Sequence, residues 1–337
     1  MQETHSSEMH GRDEGYALGQ DKQTRIARKL SMEKLYILGH PVSHSKSPAM
    51  YEAAYSKLGL DWEYGFMDLP SKQEAEAFLA SKDFLSLNIT TPYKPQAYDA
   101  AEIKASTAQL AHGVNLLANK NGTLLGFNVD GQGAVRFLER EGVRFMDGKV
   151  AVCGTGPTAL SILHACVLAG AREVLLLGRD KERSKLTLEK YADEYRHLAS
   201  TAIPMPSADD DHLSFGEAYE NASFKFGSYE TSKKAIAASD VIVDATVLGM
   251  KEGDPAPFDT SLLHEGQVIM DTVYGHGETA LIRAAKEAGC LAYDGAGMLV
   301  SQAALTAITL FEVFNVPVDA SYDSLFDIMS EAAGFRI

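Results

Sequence analysis

Apolar and polar positions along this chain follow two periods, and the switches between them predict most of the elements. LYILG (35–39) is a short continuous apolar run of the kind a buried strand shows. After a polar loop, HPVSHSKSP, Pro48 opens a helix over AMYEAAYSKLG that Gly59 closes. YGFMDL (64–69) reads as a strand and SKQEAEAFLAS as a helix. LSLNIT (85–90) reads as a strand running into a loop, TPYKP, that carries Lys94. VNLLAN and NKNGTLLGFNVD read as a hairpin with Asn121-Gly122 at its turn.

A second alternation begins at Gly148. KVAVCG is a strand, 157–170 a helix, EVLLLG a strand and 180–200 a charged helix. Residues 201–228 are polar, include Asp209-Asp210-Asp211, and read as a long surface excursion. VIVDAT (241–246) and QVIMDTVY (267–274) are further buried strands, TALIRAAKEAG is a helix, and CLAYDG ends the series. SQAALTAITLFEVF (301–314) is a strongly apolar helix. The pattern predicts an α/β fold of two domains with parallel or mixed sheets: an N-terminal α/β domain, 34–130 plus 300–337, and a Rossmann-type doubly wound domain, 131–299. Residues 1–33 lack a hydrophobic period and read as a flexible polar extension.

Composition narrows the function classes. The length of 337 residues suits about two domains, and 45% hydrophobic residues suffice for two cores. A net charge of -15 sets the surface against phosphate backbones, so a nucleic-acid partner is not expected, and an anionic ligand needs a local basic pocket. Cys153, Cys166 and Cys290 are few and widely spaced, which predicts neither a disulfide framework nor a zinc site and fits a reducing cytoplasm. Ten histidines without an HxH or HExxH spacing give no metal site. The N-terminus has no apolar run, and no stretch approaches the roughly 20 apolar residues of a membrane span, so no membrane partner is expected.

The clearest chemical signal is Gly154-x-Gly156-x-x-Ala159, directly after a strand and directly before a helix. Gly154 allows the tight turn, Gly156 lets backbone approach a pyrophosphate, and Ala159 permits close helix–strand packing. Thr155, Pro157 and Thr158 complete the turn and are read, with Gly154, Gly156 and Ala159, as cofactor-binding, and the helix N-terminus supplies N–H groups for phosphate. Pro157 lacks one such N–H but suits a first helical turn. After the second strand, where NAD-specific sites place an acid, stand Arg179 and, one turn later, Arg183. Both suit a 2′-phosphate, so NADP is favoured, with NAD left open by the intervening Asp180.

GHPVSHSKSP (39–48), NITTPYK (88–94), Val114-Asn115, GFNVDG (126–131) and DGAGMLVSQ (294–302), arranged around the glycine motif, resemble the shikimate dehydrogenase family, which includes shikimate/quinate enzymes. The resemblance runs from about Lys34 to the C-terminus, excluding roughly 190–228. It implies that Lys94 is the catalytic lysine and Asp130 its paired aspartate. It further implies that Ser45 and Ser47 hold the substrate carboxylate, that Asn115 binds ring hydroxyls, and that Thr90, Gln302 and Tyr274 are further substrate contacts. The implied activity is NADPH-dependent reduction of 3-dehydroshikimate to shikimate by a monomer or homodimer. A quinate or NAD-using enzyme is a first alternative, and a non-catalytic NADP-binding regulator a second.

The chemistry is reasonable on its own terms. Hydride transfer to a ketone leaves a developing alkoxide, which needs a proton donor or cation within reach, and Lys94 supplies one. Taken singly, the residues also have bland readings. Ser45 and Ser47 fit as caps for the helix near Pro48, Lys94 as a solvated loop lysine, Asp130 as a turn residue and Tyr274 as a core aromatic. The chain departs from the family pattern at Leu116, at Phe127 and Val129, and at Asp244, where the family has Asn. Leu116 and Val129 remove hydroxyls near the substrate or behind it, which puts the choice of cyclohexane carboxylate in question.

Overall fold

The computed structural model describes residues 33–201 and 222–337. The extension expected over 1–33, Glu33 apart, and most of the excursion expected over 201–228 lie outside these residues.

Two six-stranded sheets organise the chain. The first contains β1 (Glu33–Gly39), β2 (Trp62–Asp68), β3 (Ser86–Ile89), β4 (Ile103–Lys104), β5 (Leu116–Lys120) and β6 (Thr123–Phe127), in the order β2-β1-β3-β5-β6-β4. It is mixed: β5 runs antiparallel to both β3 and β6. The β5–β6 turn is Asn121-Gly122, with φ of 54° and 86°, the left-handed pair a two-residue hairpin needs. Helices α1 (Ser47–Lys57), α2 (Lys72–Ser81), α3 (Lys94–Ala100) and α4 (Ser106–Ala111) belong to this half. Lys94 therefore opens a helix instead of sitting in a loop. TPYKP reads as a loop because it holds two prolines, but Pro95 falls in the first turn, where a missing N–H costs no helical bond.

The second sheet contains β7 (Lys149–Cys153), β8 (Glu173–Gly178), β9 (Ser223–Ser228), β10 (Val241–Asp244), β11 (Val268–Asp271) and β12 (Leu291–Tyr293). Its order, β12-β11-β10-β7-β8-β9, is parallel throughout and doubly wound. Strand β9 corrects part of the sequence reading: 223–228 is an edge strand paired with β8, not surface excursion. Its outer positions are exposed and its alternate residues, Phe224 and Phe226, pack inward, a pattern too weak to stand out beside a long polar stretch. Helices α5 (Asp130–Arg140), α6 (Pro157–Leu168), α7 (Lys181–Thr201), α8 (Lys233–Ala237) and α9 (Ala280–Glu287) follow in chain order, then α10 (Gly295–Phe314) and α11 (Tyr322–Ala333).

Helix α10 starts six residues before the predicted 301, because Asp294 caps it by accepting from the Ala296 N–H. By length and composition α10 could cross a membrane, contrary to the sequence expectation. In the fold it is a core helix, with Val300, Ala303, Ala304 and Ala307 fully buried between α5, α11 and the first sheet.

Helices α5 and α6 carry the residues that matter below, and they meet through Gly131. A Cβ at Gly131 would lie 1.9 Å from the Ser161 carbonyl oxygen, and the Gly131 N–H donates to Ser161 Oγ at 2.8 Å. Backbone on backbone leaves no rotamer to relieve the clash. Gly131→Ala is expected to lower the urea midpoint, a loss of about 1–3 kcal/mol; an unchanged midpoint would show that the helices separate freely.

Candidate active site

The carboxyl ends of β1 and β3, the start of β5 and the end of β6 lie at one edge of the first sheet, because Asn88 is in register with Leu116 and Leu116 with Phe127. The segments that leave this edge carry Ser45 and Ser47, Thr90 and Lys94, Asn115, and Asp130. From the second sheet, Tyr274 follows β11, and Thr158 lies in the first turn of α6. Between them is a cavity of about 180 Å³. Ser47, Thr90, Lys94, Asn115, Asp130, Thr158, Tyr274 and Gln302 all line it, together with Asn88 and the apolar Ile37, Met298 and Leu299. Ser45 stands just behind, its hydroxyl 3.1 Å from that of Ser47, and the Ser47 N–H donates to Ser45 Oγ at 3.2 Å. Ser45 Oγ thus takes the first N–H of α1, while the N-cap position itself is Lys46 and makes no side-chain bond, so the capping reading holds in part for Ser45 and not for Ser47.

Lys94 and Asp130 are in direct contact, with side chains 16% and 9% exposed. The Lys94 ammonium donates to Asp130 Oδ2 and, at 3.0 Å, to Thr158 Oγ1. Thr158 in turn donates to Asp130 Oδ2 at 3.0 Å. Asp130 Oδ1 accepts from Asn115 Nδ2 at 2.7 Å, while Asn115 Oδ1 accepts the Val129 N–H at 2.9 Å. Asn128 is fully buried and completes the frame: its Oδ1 accepts the Asp130 N–H and its amide donates to the Gly113 carbonyl. Asp130 also lies in the first turn of α5, where the helix N-terminus favours a carboxylate. Sequence reasoning missed Asn128 and Ser161. Nothing but their place in the fold marks them, although Asn128 stands two residues before Asp130.

Tyr274 reaches the serine pair from the other sheet. Burial pushes its phenol above the ordinary value, and a hydrogen bond with Ser45 opposes the rise. Gln302 faces the cavity from α10 with its Nε2 donating to the Leu299 carbonyl. Leu116 and Val129 are buried, and with Phe127 none of the three lines the cavity. The missing hydroxyls at 116 and 129 therefore lie behind the wall of the site.

The glycine turn lies at the point where the winding of the second sheet reverses, between β7 and β10. Gly154 has φ +113°, and a Cβ there would sit 3.1 Å from the Ala245 carbonyl oxygen, so both conformation and space demand glycine. A Cβ at Gly156 would meet nothing within 4 Å, which leaves open room beside that backbone for a phosphate. Ala159 is fully buried behind the turn. Pro157 is the first residue of α6, so its missing N–H costs no helical bond. Arg179 and Arg183 are exposed beyond β8 and form no ion pair with a described residue. Asp180 accepts from the N–H groups of Glu182 and Arg183, so its carboxylate is engaged in capping α7. These residues fit a dinucleotide with a 2′-phosphate. Among the described residues, no group of three or more His, Cys, Asp or Glu is placed to hold a metal ion.

Comparison with known proteins gives the family and the fold. A family model described as the shikimate dehydrogenase substrate binding domain matches residues 37–117. The shikimate dehydrogenase (NADP(+)) of Symbiobacterium thermophilum is 34% identical over 274 residues, covering 80% of this chain and 86% of that protein. The structure of shikimate 5-dehydrogenase from Listeria monocytogenes in complex with shikimate and NAD superposes with a TM-score of 0.67 at 25% identity, covering 88% of this chain and 96% of that one. Quinate dehydrogenase from Corynebacterium glutamicum shares the fold, with a TM-score of 0.69 at 23% identity over 89% of this chain and 99% of that one. The two-sheet fold and its nucleotide turn define a dinucleotide-dependent oxidoreductase. The chain belongs to the shikimate dehydrogenase family.

Asp244, where the family pattern has Asn, ends β10 beside Asp271 and Cys153 in register. Its Oδ1 accepts the Thr246 N–H at 2.9 Å, and its buried Oδ2 has no hydrogen-bond partner among the described residues. Burial first, and the neighbouring Asp271 second, push its pKa up to about 7. A protonated carboxyl there is neutral and pairs an accepting oxygen with a donating group, as an amide does with its C=O and NH2. From about pH 4 to 7 the folded protein holds a proton that the unfolded chain releases, so stability falls as pH rises through that window. Asp244→Asn should match wild type in a urea melt near pH 4 and exceed it at pH 8, by at most roughly 4 kcal/mol. Equal midpoints at pH 8 would contradict this account.

Proposed function

We propose that this protein catalyses the reversible NADPH-dependent reduction of 3-dehydroshikimate to shikimate. The observation that carries the reading is the Lys94–Asp130 pair, held by Asn115 and facing a small cavity that opens beside the nucleotide turn. The bound dinucleotide would supply the hydride. The chain's own residues handle the charge that follows: as the ketone carbon accepts hydride, its oxygen becomes an alkoxide, and the Lys94 ammonium stabilises it and gives it a proton. Asp130 keeps the ammonium aimed and accepts from a neighbouring ring hydroxyl. Ser47 offers a neutral hydroxyl to the ring carboxylate, and Ser45, whose hydroxyl donates to Ser47 from just behind the lining, joins it by turning toward the cavity, with the Tyr274 phenol beside the pair. Thr90 and Gln302 complete the ring contacts.

Leu116, Val129 and Phe127 lie outside the cavity lining, so they give no reason to prefer quinate. Residues 34–130 with 300–337 are read as the substrate-binding half and 131–299 as the NADP-binding half. The protein is read as a cytoplasmic monomer or homodimer that acts on a small molecule, without nucleic acid or membrane as partner.

Purified protein with shikimate and NADP should produce the absorbance of reduced cofactor; no turnover of shikimate or quinate with either cofactor would overturn the reading. Lys94→Ala should reduce kcat by about 10²–10⁴-fold, and activity near wild type would remove the lysine from its role. Replacing Arg179 and Arg183 together by alanine should raise KM for NADP about tenfold or more while leaving KM for NAD within about threefold, because only NADP carries the phosphate they face. Equal effects on both cofactors would place the arginines elsewhere.

A further inference from the structure

We propose that Thr158, although it lies inside the glycine fingerprint, is a positioning residue for Lys94 and not a phosphate ligand. The inference rests on the reading above that Lys94 is the proton donor. A hydroxyl has one proton to give, and that of Thr158 is given to Asp130 Oδ2 at 3.0 Å. The direction of the bond follows from its partners. A carboxylate only accepts and an ammonium only donates, so between Asp130 and Lys94 the hydroxyl must donate to the first and accept from the second. Thr158 Oγ1 does accept from Lys94 Nζ, also at 3.0 Å. To bind a phosphate, it would have to abandon a carboxylate that is itself half of a largely buried ion pair.

The closed triangle has a consequence for catalysis. The ammonium carries three protons. One goes to Asp130 and one to Thr158, which leaves a single proton to point into the cavity. The three N–H bonds turn as one rotor about Cε–Nζ, so Asp130 alone would set that rotor but leave the Lys94 side chain free to swing around a single partner, carrying the third N–H away from the cavity. The second partner removes that freedom. Misdirection of a reacting group by about 1 Å can cost 10²-fold in rate.

Thr158 is itself held firmly. Pro157 lies against Gly113, where a Cβ would come 2.7 Å from the proline ring, and Ser161 accepts the Gly131 N–H one turn later. The first turn of α6 thus touches the loop before Asn115, the Lys94–Asp130 pair and the start of α5. The helix whose N-terminus receives the dinucleotide is also the one that aims the proton.

Thr158→Val keeps the shape and removes the hydroxyl. The expected result is a kcat about 10–100-fold lower, KM for shikimate within about threefold of wild type, and an NADP Kd by calorimetry within about threefold. Thr158→Ser should restore kcat to within about threefold. In a Lys94→Ala background the Thr158→Val change should add less than about threefold, because nothing remains to aim. Wild-type kcat in Thr158→Val, failure of serine to rescue, or losses that multiply in the double variant would each overturn the proposal. So would an NADP Kd raised more than tenfold in the binding measurement, which needs no substrate and so reads the phosphate-ligand role whether or not shikimate is turned over. Should the valine variant not fold, Thr158→Ala is read by the same four measurements.

Discussion

An ion pair taken largely out of water is the constraint around which this site is built. Lys94 opens α3 in the first half and Asp130 opens α5, the helix that leads into the second, with side chains 16% and 9% exposed. Removing such charges from water costs several kcal/mol each unless the remaining donors and acceptors are met. Here they are met from both halves of the molecule. Asn115 takes one carboxylate oxygen, Thr158 and Lys94 share the other, and Asn128 fixes the backbone beneath. The satisfied network requires that the end of β6, the start of α3 and the first turn of α6 come together. The contact of Gly131 with Ser161 is what lets them approach that closely.

A second buried carboxyl is handled in the opposite way. Among the described residues Asp244 has no ion-pair partner and one oxygen without a hydrogen bond, and its strand neighbour is another acid. Its solution is to keep the proton, with a pKa pushed up to about 7. The two sites show how environment divides one side-chain chemistry: the charge of Asp130 is met by donors, whereas Asp244 holds its proton up to about neutral pH. The family pattern's amide and this chain's carboxyl can then occupy the same place in the fold.

Much of this was legible along the chain. The Asn121-Gly122 turn, the strand–turn–helix around Gly154 and the apolar runs of β7, β10 and β11 rest on local physics, and their local rules hold. Lys94 and Asp130 were found through the order of motifs, not through either residue alone. What was hidden is long-range. The start of α3 was masked by prolines that a first helical turn tolerates. The start of α10 was masked by Gly295 and Gly297, which read as loop but are required where Thr272 and Phe137 press against the helix. The edge strand β9 was lost in a polar stretch. The bonds of Thr158 to a lysine 64 positions away carry no sequence signal, so its place in the fingerprint suggested a phosphate ligand instead.

In the proposed reaction the cavity lined by Lys94, Asp130 and Thr158 seats the ring, and the glycine turn beside Thr158 holds the dinucleotide. A crystal structure with shikimate and NADP bound tests it most directly. The expected density shows a ring hydroxyl within hydrogen-bond reach of both Lys94 Nζ and Asp130, the carboxylate at Ser45 and Ser47, and the 2′-phosphate against Arg179 and Arg183. Shikimate seated outside this cavity, or held in it with Lys94 turned away from every ring oxygen, would contradict it.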